Sequence, residues 1–362
     1  MCAGCQKLCR HVCPTFFAWR SDAPTPHGRS LLLHHEITAA RGLDDRGIEV
    51  LYQCLECSHC LTWCKPEIDV ATIVELKRRD LVEQGRQPKK LRKLSLSVKK
   101  KFNPFDEPAN KRNDWIKQKK SKGIPLLYFV GCLTSYREKE IAKDTVTSLE
   151  LLGYQVTISK DEGCCGSPLF RTGDEEGGFE MANHNATMLN EMDVQEIVVS
   201  CPGCYRALTQ DYPNRGVEID KPVRHISEIF SNALEKLPTT SFDGNVTYHD
   251  PCHLGRHCSI YDQPRQVITH VIGKEIVEME RNKENATCCG NGAGLRTLFP
   301  DHARRIGSER IRHAKNVDAQ YLVTSCPFCK NMLESQADRS ITVMDLPQFV
   351  VQAWKRRDVN ID

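Results

Sequence analysis

No run of about 18 apolar residues occurs in the 362-residue chain, so no membrane-spanning helix is expected. The start, Met1-Cys2-Ala3-Gly4-Cys5, has no basic segment followed by an apolar one, which argues against a secretory leader and for the cytoplasm. A Gly-rich dinucleotide fingerprint in a strand–helix context is missing as well, so the chain is not expected to take hydride itself. Between Pro88 and Lys122 there is no cysteine at all, although the chain as a whole has 19.

Those 19 cysteines are the compositional outlier. Hydrophobic residues at 40 % and charged residues at 27 % are ordinary for a globular protein, and the length allows two or three domains. Clustered cysteines in an exported chain suggest disulfides. Here the leader is missing, the number is odd and five C-x₂-C units recur, which favours metal ligation.

The cysteines divide the chain into three regions. Residues 1–87 hold eight in two groups, separated by a stretch from Gly28 to Val50 that reads helical. Residues 88–122 are rich in Lys, Asn and Pro and read as a basic linker with short helical pieces. The rest, split as 123–237 and 238–362, is an internal repeat. Its first copy runs strand Leu126–Val130, Cys132, helix Glu138–Leu152, strand Gln155–Ile158, Cys164-Cys165-Gly166, helix Glu176–Met192, strand Glu196–Ser200 and Cys201-Pro202-Gly203-Cys204. Its second runs strand Val246–His249, Cys252, a helix, strand Glu275–Met279, Cys288-Cys289-Gly290, helix Asp301–Ala314, strand Gln320–Thr324 and Cys326-Pro327-Phe328-Cys329. Alternating strands and helices predict α/β layers on a mostly parallel sheet, with the cysteines at the C-terminal strand ends, where such sheets bind ligands.

In the first region Cys2, Cys5, Cys9 and Cys13 precede Pro14, and Cys54, Cys57, Cys60 and Cys64 precede Lys65-Pro66. This is close to the bacterial ferredoxin run, in which three cysteines hold one [4Fe–4S] cluster and the fourth ligates the other. That rule groups Cys2, Cys5, Cys9 and Cys64 on one cluster and Cys13, Cys54, Cys57 and Cys60 on the second. The first group departs by one extra residue between Cys5 and Cys9, the second by Lys65. Structural zinc is the alternative for such four-cysteine sets. The long helical spacer favours an α-helical two-cluster domain over a small β-hairpin ferredoxin. Each four-cysteine cluster adds roughly −2 of charge, so two of them turn the formal +3 into about −1. The basic apo-sequence is therefore no argument for a nucleic-acid partner.

Each repeat copy supplies five cysteines from three loops: Cys132, Cys164, Cys165, Cys201 and Cys204, then Cys252, Cys288, Cys289, Cys326 and Cys329. Five thiolates exceed what a simple cubane or a tetrahedral zinc uses, and adjacent cysteines suit two irons of an opened cluster. Gly166 and Gly290 allow close backbone approach. On these motifs the chain resembles the CCG-domain family of heterodisulfide reductase, in the layout of its D-type iron–sulfur component. The segment Asn103-Pro104-Phe105-Asp106-Glu107-Pro108, with Arg112 and Trp115, is similar too. The resemblance implies an α-helical two-cluster ferredoxin domain followed by two repeated α/β (Rossmann-like) CCG domains. It also implies two cubane [4Fe–4S] clusters and two non-cubane [4Fe–4S] clusters, the latter forming a pair that splits a disulfide, as with the mixed disulfide of coenzyme M and coenzyme B.

Two functions follow from this reading. In one, electrons from the ferredoxin-type clusters reach the ten CCG cysteines and reduce a small-molecule disulfide, or thiols are oxidised in reverse. In the other, the chain only relays electrons between a flavoprotein or other donor subunit and a membrane cytochrome b or quinone, sitting peripherally at the inner membrane face through that partner. His249 and His253, beside Cys252, read as hydrogen-bonding groups before proton donors. Arg171 and Arg296 suit an anionic substrate or cluster charge alike. Cys258, outside the repeat register, reads as a packed thiol.

Overall fold

The computed structural model describes residues 2, 5–38, 42–116 and 122–357. Among the described residues up to 116 every regular element is a helix, including Pro14–Trp19, Pro26–Thr38, Asp45–Tyr52, Val70–Glu83 and Lys89–Lys101. Two of them start on aspartate caps: Asp44 accepts from the Gly47 amide, and Asp69 from Ala71 and Thr72. The stretch from Gly28 to Val50 that reads helical holds two helices, the second started by its own cap.

Beyond residue 123 lie two parallel sheets. The first contains β1 (Ile124–Phe129), β2 (Tyr154–Thr157), β3 (Glu196–Val199) and β4 (Val223–His225) in the order β2-β1-β3-β4. The second contains β5 (Asn245–His249), β6 (Ala319–Thr324) and β7 (Thr342–Asp345) in the order β5-β6-β7. The predicted strand Glu275–Met279 does not form. Its trace is one ladder bond, from the Val277 amide to the Val246 carbonyl at 2.9 Å. β4 and β7 were not predicted, being short and flanked by charge.

Strand periodicity explains how the two sheets join. Leu126 and Tyr128 of β1, with Val130 just after it, point into one core, whereas Leu127 and Phe129 point into another, so this strand is buried on both faces. The first core continues through Val246 and Tyr248 of β5 to Phe349 and Trp354, making it common to both sheets. The helix after β7 (Leu346–Arg357) packs on the helix Lys139–Leu151 that follows β1. Reciprocally, the helix after β4 (Ile226–Ser231) packs on Asp262–Ile272, which follows β5. This exchange fixes the sheets with their cysteine-bearing strand ends facing each other.

The segment read as a linker is built into the fold. Leu91, Ser95 and Val98 of the helix Lys89–Lys101 are buried. Asn103, fully buried, bonds the Lys101 and Glu107 carbonyls and the Phe105 and Glu107 amides, so the chain turns around its amide group.

The helical region meets the first sheet at Gly173, where φ is +94° and an added Cβ would lie 2.4 Å from the Arg78 carbonyl. Gly173→Ala should cost about 2–4 kcal/mol through backbone strain and overpacking. A denaturant-unfolding midpoint equal to that of the parent chain would refute this account of the junction.

Candidate metal centre

In the helical region the backbone wraps to aim thiols inward. Glu56 and Ser58, between the cysteines of the second group, both take left-handed φ, at 50° and 54°. One small cavity is lined by Cys2, Cys5, Cys9, Cys60 and Cys64. A second is lined by Cys13, Cys54, Cys57 and Cys60. The first cavity gathers Cys2, Cys5, Cys9 and Cys64 together with Cys60, which lines both cavities. All 19 cysteines are free of disulfides, so the donor sets suit iron–sulfur ligation.

The ten repeat cysteines all line one cavity of about 1000 Å³ between the sheet ends. Their thiols form a nearly continuous run. Cys132 contacts Cys164, and Cys165 contacts Cys164 and Cys204. Cys201 contacts Cys204 and, across the two copies, Cys326. Cys289 contacts Cys288 and Cys329, and Cys288 contacts Cys252. Cys288 also touches Cys57 of the helical region, which joins the second small cavity to this one. Crowding splits the thiols: Cys165 is drawn down to about 6, first by its hydrogen bond with Cys164, while that same neighbour and burial push Cys132 up. Such a row of thiols, with no opposing side-chain charge for most of them, fits a metal-bearing centre better than an empty pocket.

The Cys57–Cys288 junction is tightly made. Arg256 donates through Nε to the Cys57 carbonyl at 2.6 Å and through Nη1 to the Ala286 carbonyl at 2.7 Å. His257 Nε2 meets the Glu56 carbonyl at 2.8 Å. A Cβ at position 292 would come 2.7 Å from the Leu55 carbonyl, so Gly292 is what permits the approach.

A buried ion network clamps the helical region to the first sheet. Arg78 binds Glu56 and also the Arg171, Leu51 and Cys54 carbonyls. Arg171 pairs with Asp211 at 2.6 Å and Glu75 at 3.1 Å. Arg171 therefore serves this network while lining the large cavity, and Arg296, bonded to Asn331, lines the cavity as well.

His249 accepts from Arg310 Nε at Nδ1, at 2.9 Å, and burial holds its pKa down. The neutral ring then carries its proton on Nε2, which has no hydrogen-bond partner. Its nitrogen lies within 4.8 Å of the Cys289 and Cys329 sulfurs. His253 lines the cavity with Nδ1 free of a hydrogen-bond partner, its pKa also depressed by burial. Cys258 lies outside the cavity lining, half-buried, and burial pushes its thiol up to about 12.

Residues 126–209 and 246–334 each match the cysteine-rich CCG domain family. The D-type component of the dihydromethanophenazine:CoB–CoM heterodisulfide reductase of Methanosarcina acetivorans is 31% identical, over 97% of this chain and 93% of that one. The chain belongs to the heterodisulfide reductase D family. The EtfAB:quinone oxidoreductase of Syntrophomonas wolfei is 28% identical over 85% of this chain and 47% of its own length. A hypothetical protein from Helicobacter pylori shares the fold with a TM-score of 0.59 at 10% identity, over 91% of this chain and 67% of that one. An iron–sulfur oxidoreductase component of the heterodisulfide reductase D kind implies partner subunits. No helix among the described residues is long and apolar enough to cross a membrane.

Sequence reasoning missed Glu56, Arg78, Arg256 and Glu162, because buried charges find partners far along the chain and leave no local pattern. Arg78→Met should strand the Glu56 carboxylate in the interior and destabilise the protein by about 3–5 kcal/mol. Chemical denaturation of the purified variant checks it, and a loss under about 1 kcal/mol would contradict the clamp.

Proposed function

We propose that the chain moves electrons from two cubane [4Fe–4S] clusters to two non-cubane [4Fe–4S] clusters, where a small-molecule disulfide is reduced or thiols are oxidised. The observation that carries this reading is the single cavity shared by all ten repeat cysteines, five from each copy. Cys2, Cys5, Cys9 and Cys64 would hold one cubane, and Cys13, Cys54, Cys57 and Cys60 the other. Cys132, Cys164, Cys165, Cys201 and Cys204 would hold the first non-cubane cluster. Cys252, Cys288, Cys289, Cys326 and Cys329 would hold the second. Such clusters, when bound, supply one-electron transfer.

The chain's own groups do the rest. The Cys57–Cys288 contact, fixed by Arg256, sets the entry of electrons at the second copy. Leu94, Phe105, Leu133 and Phe328 give the cavity an apolar lining, while Lys90, Lys93 and Lys100 bring cations to its wall. Disulfide cleavage consumes two protons with its two electrons, and the neutral ring of His253 lines that site as a hydrogen-bonding group. The electron donor is a flavoprotein or other partner subunit, and a membrane cytochrome b subunit fits the same complex.

A relay between a flavoprotein and a quinone is the competing reading, supported by the likeness to the quinone oxidoreductase of Syntrophomonas wolfei. Electron paramagnetic resonance of anaerobically purified, mildly oxidised protein separates the two. A signal that appears only with added thiol supports substrate sulfur at the ten-cysteine site; a fully loaded protein with no thiol response favours the relay. Cys165→Ser and Cys289→Ser should each abolish thiol–disulfide turnover with an artificial electron donor. Retained turnover in both would sink the disulfide mechanism.

A further inference from the structure

Arg112 belongs to the stretch that composition alone marks as linker, yet its side chain is 4% exposed. Nη1 binds Glu162 Oε1 at 2.6 Å. Nη2 donates to the Phe102 carbonyl at 2.9 Å and reaches the Cys132 sulfur at 3.6 Å. The guanidinium lies 5.5 Å from the Tyr136 ring centre, and Trp115 Nε1 holds the Arg112 carbonyl at 2.9 Å. Glu162 does not spend its whole charge on this arginine. It also accepts the Val130 amide at 2.7 Å and the Gly131 amide at 2.9 Å, on the approach to Cys132. A share of the guanidinium's positive field is therefore left for the sulfur.

The second copy is built otherwise. Arg265, beside the strand end that leads to Cys252, divides its guanidinium between Asp250, Glu278 and the Tyr261 carbonyl. Arg256 bonds the backbone carbonyls of Cys57, Glu284 and Ala286, and its charge also acts on the Cys57, Cys252 and Cys288 sulfurs. The hydrogen bond from a guanidinium to the first cysteine of the motif is a feature of the first copy.

We propose that Arg112 is a positioning residue that raises the reduction potential of the iron–sulfur centre held by the first CCG copy, by donating a hydrogen bond to the Cys132 sulfur. The inference rests on the reading of Cys132 as a cluster ligand. Reduction adds one negative charge to a centre already rich in thiolate. A buried donor on a ligand sulfur stabilises that added charge, and hydrogen bonds to sulfur are among the factors that set such potentials.

The test is an anaerobic redox titration of the full chain with its iron–sulfur centres, followed by electron paramagnetic resonance, with iron and sulfide content measured in parallel. Arg112→Gln should move the midpoint of one signal to more negative values and leave the others in place. Arg112→Lys, which keeps the charge beside Glu162, should move the same signal less and in the same direction. Glu162→Gln removes the opposing charge and should move it the other way, a change of sign that a purely structural clasp does not produce. Unchanged midpoints in fully loaded Arg112→Gln overturn the inference. If that variant fails to retain iron, an unchanged midpoint in Arg112→Lys overturns it instead. Iron content unaltered in Cys132→Ser would remove the ligation reading, and the inference with it.

Discussion

A cluster that takes sulfur from three separate loops needs those loops to end at one place, and parallel strands satisfy that need. Every strand of such a sheet points its C-terminal end the same way, so Cys132, Cys164 and Cys201 converge although the chain between them travels through two crossovers. In the first sheet β1 and β3 are neighbours whose connections leave to opposite sides, opening a crevice where Cys132 and Cys201 sit. The exchange of terminal helices between the two sheets then turns one crevice toward the other. From this follow the contact between Cys201 and Cys326 and the single cavity.

Convergence has an electrostatic cost that the surrounding residues offset. Burial disfavours thiolates and isolated carboxylates alike. The fold answers with arginines whose guanidinium groups are tied into fixed hydrogen bonds: Arg78 on Glu56 and three carbonyls, Arg112 on Glu162 and Cys132, Arg256 on the carbonyls beside the cluster loop. Buried ion pairs of this sort contribute little net stability but are strongly destabilising to break. Their value here is registry. Each ties a cysteine-bearing loop to an element from another part of the chain, so the relative placement of sulfurs is fixed by charge as well as by packing.

Spacing and periodicity made much of this legible. The C-x₂-C groups, the duplicated Cys-Cys-Gly units and the apolar strand ends gave the repeat and the order of its main elements. The failures have separate causes. Glu275–Met279 carries strand-like residues, but only the Val277 amide finds the neighbouring strand. Lysine-rich Lys89–Lys101 looked solvated because its buried positions are only Leu91, Ser95 and Val98 among many cations, and tertiary packing outweighed composition. Arg112 was visible as a residue but not as a contact, since its partners Cys132 and Glu162 lie 20 and 50 positions away.

The junction at Cys57 and Cys288 also constrains the order in which the molecule can be made. Cys57 is synthesised early and Cys288 late, and the large cavity is not complete until Cys329 has left the ribosome. Contacts so distant along the chain form slowly, because the intervening segment must be ordered before they bring any gain. Through most of synthesis the helical region therefore presents a cysteine-bearing loop whose covering surface, around Gly292 and Arg256, does not yet exist. The nascent chain spends that interval with the thiols around Cys57 uncovered and open to oxygen.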